Sequence, residues 1–190
     1  MKTAWLAERI AYDGAQLRAH WILRRTGLVG DAVVAFRGPC RVAAAEMADL
    51  ADLMDGPGIA GDDMVHFLWE SFGEGDLLRA ILQQRLLAAT AREVLETQRS
   101  ASGPPLRRSG DDLYLGEGKL SISIATRSLV STLIHFAVNV ANSGVPVRSA
   151  ALADLGVEPE AFARALLQRV EEEQASILVA RAKVRGKDEA

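Results

Sequence analysis

At 190 residues, 49% hydrophobic and 25% charged, the chain has the composition of an ordinary globular protein and the length for one sizeable core. A net charge of −3 gives no general attraction to nucleic acid. No apolar run approaches the roughly 18 to 20 residues of a membrane span, the start MKTAWLAERI lacks a secretory apolar stretch because Glu8 and Arg9 interrupt it, and a single cysteine, Cys40, excludes an internal disulfide or a multi-cysteine metal site. The expected compartment is the cytoplasm, without nucleic acid or membrane as partner.

In chain order, residues 3–10 predict a first strand, ended by the turn signal Tyr12-Asp13-Gly14. Residues 15–25 predict a short helix stopped by Gly27, and His20 on it reads as a structural residue. Residues 31–37, DAVVAFR, are a β-branched and aromatic strand that places Val33, Ala35 and Arg37 on one face. The following Arg37-Gly38-Pro39-Cys40-Arg41 predicts a basic turn, suited to holding a carboxylate or phosphate or else an unremarkable surface turn. Ala-rich residues 43–54 predict a helix stopped by Gly56-Pro57-Gly58.

The segment GDDMVHFLWESF admits two readings. As a strand it aligns Asp62, Met64, His66 and Leu68; as a helix capped by Asp62 or Asp63 it aligns Asp62, His66 and Glu70, three mixed ligands. No metal site is expected from so common a pattern. Residues 75–99 predict the longest helix, with Leu78, Ile81, Leu82, Leu86 and Ala89 as its apolar stripe across the sheet. A loop over residues 100–105 precedes the most informative stretch, Arg107 to Thr126.

There, Leu113, Leu115, Leu120, Ile122 and Ile124 alternate with Asp112, Tyr114, Lys119, Ser121 and Ser123, and Gly116-Glu117-Gly118 supplies a hairpin connection. If both apolar sets share one core, the polar set lies together on the opposite face. That face is either a solvated sheet surface or a site carrying an acid, a phenol, an amine and two hydroxyls. Of the 22 Lys and Arg residues only Lys2, Lys119, Lys183 and Lys187 are lysines, so Lys119 stands alone in the chain interior. Residues 131–140 predict another strand, with Ile134, Phe136, Val138 and Val140 on one face and Leu133, His135, Ala137 and Asn139 on the other. Beside the hairpin, His135 and Asn139 would join the Lys119 stripe. A short helix near 149–155 and a final helix opened by Glu158-Pro159, burying Phe162, Leu166 and Val170, complete a helical C-terminal segment at about 146–185. The fold class expected is α+β, a mixed, mainly antiparallel sheet covered by helices, in one domain over 1–190.

These residues carry a resemblance. Asp111-Asp112-Leu113-Tyr114-Leu115, a turn and Lys119-Leu120 resemble the Asn-Asp-Leu-Tyr-Leu, turn, Arg-Lys-Leu segment of biotin protein ligases, and Lys119-Leu120-Ser121 resembles the lysine motif of lipoate protein ligases. Residues 134–140 are similar to the Ile-Gly-x-Gly-Ile-Asn-Val strand of biotin ligases, and 150–170 to the end of their catalytic domain. Over its whole length the chain resembles domain of unknown function family 366 (DUF366), through Tyr12-Asp13-Gly14, Phe36-Arg37-Gly38-x-Cys40, Asp62-Asp63-Met64-Val65-His66, Gly110-Asp111-Asp112-x-Tyr114 and the run from Lys119 to Thr126.

The resemblance implies a biotin/lipoate ligase-like core that activates a carboxylic acid with ATP and magnesium as an acyl-adenylate and passes the acyl group to an amine. Lys119 then contacts carboxylate and α-phosphate oxygens, and Asp112 orients the acceptor amine or metal. Asn139 lies on the nucleotide or metal side, and Arg37, with Gly38 and Arg41, stands in for the anion-binding loop. Tyr114, Ser121, Ser123 and His135 complete the expected binding set. The chain departs from biotin ligases where their Gly/Arg-rich loop is missing and where His135 and Ala137 replace strand glycines. Two alternatives remain open: a thioester acyltransferase using Cys40, and a non-catalytic metabolite-binding module of the same fold. A small carboxylate or acyl substrate is the expected partner, with an unspecified acceptor amine, and a homodimer is compatible with the sequence.

Overall fold

The computed structural model describes residues 1–55, 58–73, 75–100 and 103–187. Its frame is a five-stranded sheet in the order β1-β2-β3-β8-β7, from β1 (Lys2–Leu6), β2 (Ala32–Val42), β3 (Ile59–Phe72), β8 (Ser131–Asn139) and β7 (Ser121–Arg127). Of the strand pairs in this sheet among the described residues, β1–β2 is parallel and the others are antiparallel. A smaller sheet contains β4 (Leu106–Ser109), β5 (Asp112–Leu115) and β6 (Gly118–Lys119). With its helices this is the expected α+β class.

The period-two pattern sorts the large sheet into two apolar faces. Val33, Ala35, Val65, Phe67, Phe136 and Val138 pack against α3 (Leu77–Gln98) and α5 (Pro159–Lys183). Ala32, Val34, Phe36, Met64, Leu68 and Ala137 face the other way, toward Tyr12 and Ile22. Ile22 comes from α1 (Trp21–Thr26).

Several elements are shorter than the sequence suggests. The first strand ends at Leu6, and the helix expected over 15–25 survives only as α1, because His20 adopts φ 65, outside the right-handed helical region. The helix expected over 43–54 divides into a single 3-10 turn, Ala44–Glu46, and α2 (Leu50–Asp55), with Asp49 accepting from the N–H groups of Ala51 and Asp52. Its proposed stop at Gly56-Pro57 lies outside the described residues, as do Ala101 and Ser102 of the expected loop.

The ambiguous segment becomes strand β3, held between β2 and β8, and the strand alignment of Asp62, Met64, His66 and Leu68 is the observed one. The proposed basic turn is also a correction: Arg37 to Arg41 lies inside β2, which pairs with β3 through an irregularity between Gly38 and Cys40. In α3 the buried side is Gln84, Leu87, Ala88, Ala91, Val94 and Leu95, whereas Leu78 and Leu82 are exposed. Pro159 opens α5 as expected, and Phe162, Leu166 and Val170 are buried.

The hairpin reading needs the largest correction. Two turns occur, at Gly110-Asp111 and Gly116-Glu117, and Leu115 pairs with Gly118 across the second. After Lys119 the chain leaves the small sheet and enters the large one at Leu120, whose N–H bonds Leu113 O at 2.8 Å and whose carbonyl accepts from Asn139 N at 3.0 Å. This change of sheet inverts the parity. Leu113, Leu115 and Leu120 are buried, but Ala125 packs on the helix-side core and Ser123 meets Gln84 of α3, while Ile122 packs on the opposite side. The expected common face for Asp112, Tyr114, Lys119, Ser121 and Ser123 therefore does not form.

Candidate functional site

On the face of the sheet away from α3 and α5 lies a cavity of about 260 Å³. β8 contributes His135 and Asn139, β7 contributes Ile122 and Ile124, and the small sheet contributes Asp111 from its first turn, Asp112 from β5 and Lys119 from the end of β6. Tyr12, the connection from β2 to β3 with Glu46, Asp49 and Asp52, the first half of β3 and residues 145–147 supply the rest of the wall. Among the described lining residues Lys119 is the only Lys or Arg.

Lys119 is held by its backbone on two sides. It pairs with Tyr114 in β5, donates its N–H to Arg148 O at 3.0 Å, and accepts from Ala150 N at 3.0 Å. The approach of residues 148–150 explains Gly118, where a Cβ would lie 2.8 Å from Ser149 O. The ammonium forms an ion pair with Asp112 Oδ2 at 2.9 Å. Burial pulls the ammonium pKa down, but the hydrogen bond and charge of Asp112 outweigh it, and the net direction is up. Asp112 is also raised, by burial first, against the pull of Lys119 and with the charges of Asp111 and Asp52 adding to burial. The pair is thus a protonated lysine beside a crowded carboxylate.

Below Tyr12 lies a pair that the sequence does not announce. His66 Nδ1 is 3.0 Å from His135 Nε2, and His66 Nε2 is 3.2 Å from Gly38 O. Tyr12 stacks on His135 with 3.7 Å between ring centroids, and Phe36 stacks on His66 at 5.1 Å. Burial depresses both imidazoles, His66 to about 4 and His135 well below its usual value. Both rings are neutral at physiological pH.

The expected site residues divide into two groups. Asp112, Lys119, Ser121, Ser123, His135 and Asn139 all border the cavity. The hydroxyls of the two serines are committed within the protein: Ser121 Oγ accepts from Leu113 N at 2.8 Å, and Ser123 Oγ accepts from Gln84 Nε2 and donates to His135 O. Arg37, Gly38, Arg41 and Tyr114 are not part of the lining. Arg37 makes a bidentate pair with Asp63, and Arg41 pairs with Asp62 at 2.6 Å. Gly38 carries the carbonyl that His66 meets, and Tyr114 lies under the Arg107 guanidinium at 4.5 Å.

Asp62, Asp63 and His66 are therefore engaged separately. Among the described residues no group of three or more His, Cys, Asp or Glu is placed to hold a metal. Cys40 is fully buried, does not line the cavity, and has its thiol pushed up to about 12 by burial. That environment removes the premise of the Cys40 acyltransferase reading. The residues missed from sequence are Tyr12, Glu46, Asp49, Asp52 and Asp111. For Asp49 a signal existed, since an aspartate just before an apolar helical run is a cap.

The sequence profile of a domain of unknown function, DUF366, matches residues 1–185. The chain belongs to the DUF366 family. A protein of unknown function from Pyrococcus horikoshi is 40% identical to this DUF366 chain, with 98% of each chain covered and a TM-score of 0.91. An uncharacterized protein of Methanocaldococcus jannaschii is 34% identical over 163 residues, 83% of this chain and 72% of that protein. The biotin protein ligase from Aquifex aeolicus in complex with biotin and ATP is similar at 16% identity, covering 90% of this chain and 69% of the ligase, with a TM-score of 0.57. The DUF366 fold is that of the biotin and lipoate protein ligases. No described helix is long and apolar enough to cross a membrane.

Proposed function

We propose that this DUF366 protein binds a small carboxylic acid with its carboxylate at Lys119 and, with ATP, activates it as an acyl-adenylate. One observation carries the reading: a half-buried, protonated lysine is the only Lys or Arg among the described lining residues of a cavity otherwise bordered by carboxylates, neutral polar groups and apolar side chains. An ammonium fixed there stabilises negative charge that develops on carboxylate and phosphate oxygens. Asp112, within 2.9 Å of that ammonium, is the group that would orient an incoming amine once the ligand takes over the lysine.

The rim supports magnesium only as a companion of the nucleotide. Asp111 and Asp112 offer oxygen ligands of the kind magnesium takes one or two at a time beside substrate phosphates. A bare polyanion would meet Glu46, Asp49 and Asp52. The solved ligase with biotin and ATP belongs to the same fold and supports the pairing of a carboxylate with a nucleotide, without naming the acid.

Calorimetric titration of ATP with magnesium into the wild type and Lys119→Ala tests the reading, followed by pyrophosphate release across a panel of carboxylic acids. Binding by the wild type that weakens at least ten-fold in the variant is expected. Equal binding by both proteins removes Lys119 from the role. A second reading, a metabolite-binding module without chemistry, draws on the serine hydroxyls being internally satisfied. A ligand held unchanged in the presence of ATP and magnesium would select it.

A further inference from the structure

We infer that the cavity floor is built to accept hydrogen bonds, and that the carboxylic acid bound at Lys119 carries an N–H or O–H donor toward its other end, read by His135 Nδ1. The inference rests on the carboxylate reading above and adds to it the chemistry of the rest of the ligand.

Gly38 orients the nearer of the two rings. Its carbonyl oxygen can only accept, so the ring nitrogen 3.2 Å away, His66 Nε2, carries a hydrogen. His66 is neutral in its buried setting, so its Nδ1 has a free lone pair. The nitrogen 3.0 Å from that lone pair, His135 Nε2, must then be the donor. A neutral His135 with its hydrogen on Nε2 leaves Nδ1 as a bare acceptor. His135 lines the cavity, and its Nδ1 has no hydrogen-bond partner among the described residues. One backbone carbonyl thus fixes, through two rings, the polarity of Nδ1 on a residue that lines the cavity.

Asn139 repeats the logic. Its Nδ2 lies 3.1 Å from Lys119 O and 2.9 Å from Ala150 O, two acceptors that dictate the amide orientation. Its oxygen has no hydrogen-bond partner among the described residues. Asn139 and His135 occupy one face of β8, four residues apart, with Ala137 between them, a span of about 13 Å. The Asn139 end adjoins the backbone of Lys119, and the His135 end lies under Tyr12. A ligand with its carboxylate at Lys119 therefore runs its tail toward an acceptor. A tail without a donor leaves that acceptor desolvated and unpaired, which is the costly case.

A long-range nitrogen–proton correlation spectrum of the histidine rings in the full chain tests the first half. Calorimetric titration of octanoate and ω-hydroxyoctanoate, a pair differing by one terminal donor, into the wild type and His135→Phe tests the second. The spectrum should show His135 protonated on Nε2 and bare on Nδ1. The wild type should bind the hydroxy acid roughly ten-fold more tightly, and His135→Phe, which keeps a flat ring beneath Tyr12, should lose that preference. A hydrogen on Nδ1 overturns the inference and leaves the acyl-adenylate reading standing. So does equal affinity of the two acids for the wild type. Failure of both acids to bind overturns the carboxylate reading together with the donor selection that depends on it. Should His135→Phe not fold, the spectrum and the wild-type titrations decide alone.

Discussion

Asn139 holds Lys119 by its main chain and not by its ammonium: the amide nitrogen lies 3.1 Å from Lys119 O, while the ammonium is occupied 2.9 Å away by Asp112. The same amide reaches Ala150 O and so ties β8, the small sheet and the segment before α4 (Leu152–Leu155) together. Asn139→Ala removes the side-chain donor to Ala150 O and one of the two donors to Lys119 O, and should cost about 1–3 kcal/mol. Asn139→Asp should cost more, since a carboxylate would face two carbonyl oxygens. Urea unfolding of both variants measures the order, and an Asp variant as stable as wild type would refute the clamp.

The histidine pair makes stability depend on pH in a stated direction. His66 binds its proton at about 4 in the folded chain against 6.5 when unfolded, so between those values the unfolded chain takes up more protons. Its contribution is fully present above about pH 6.5 and is lost as pH falls toward about 4, on the order of 3 kcal/mol for His66. His135, depressed in the same sense, adds to the fall. Urea midpoints taken from about pH 7 down to about pH 4 should drop steeply, and His66→Gln should flatten the profile. A flat wild-type profile would contradict the buried neutral pair.

Two glycines should respond oppositely in scale to the same change. A Cβ at Gly38 would overlap the Ile10 carbonyl oxygen, so Gly38→Ala must displace the segment after β1 and the carbonyl that orients His66. A loss of about 3 kcal/mol or more is expected. Gly27, with φ +75 and open space around it, pays only for backbone conformation, about 1–2 kcal/mol in an alanine variant. Thermal denaturation of the two variants side by side gives the comparison.

Cys40 should be silent toward thiol reagents in the folded chain, because its thiolate is disfavoured by burial and the sulfur has no exposure. Reaction should appear only along the urea unfolding curve. Rapid labelling of the native protein would reopen the thioester reading.

Much of the frame was legible. The first half of β2, β8 and the buried side of α5 follow from alternation and helical period, and the motifs around Lys119 place the chain beside the ligase fold. What the sequence conceals depends on long-range juxtaposition. His66 and His135 are 69 residues apart and meet only because β3 and β8 are neighbours. The acidic wall from Glu46 to Asp52 depends on how one connection folds back over the sheet. Leu78 and Leu82 look like a core stripe, yet the side of α3 that is buried carries Leu87, Ala88, Ala91, Val94 and Leu95. The serines of β7 follow the alternation as expected, and what fails is the assumption that one core lies behind the whole segment.

The crossover at Leu120 also sets where this chain tolerates a change of length. The turn at Gly116-Glu117 lies outside both strands it joins, and a residue gained there leaves the register of β7 with β8 intact. Between Lys119 and Ser121 there is no such slack. One residue inserted or deleted would swap the two sides of β7, sending Ile122 and Ile124 against Gln84 and turning serine hydroxyls into the cavity. Relatives that keep this cavity should therefore vary in length at the turn and never at the junction.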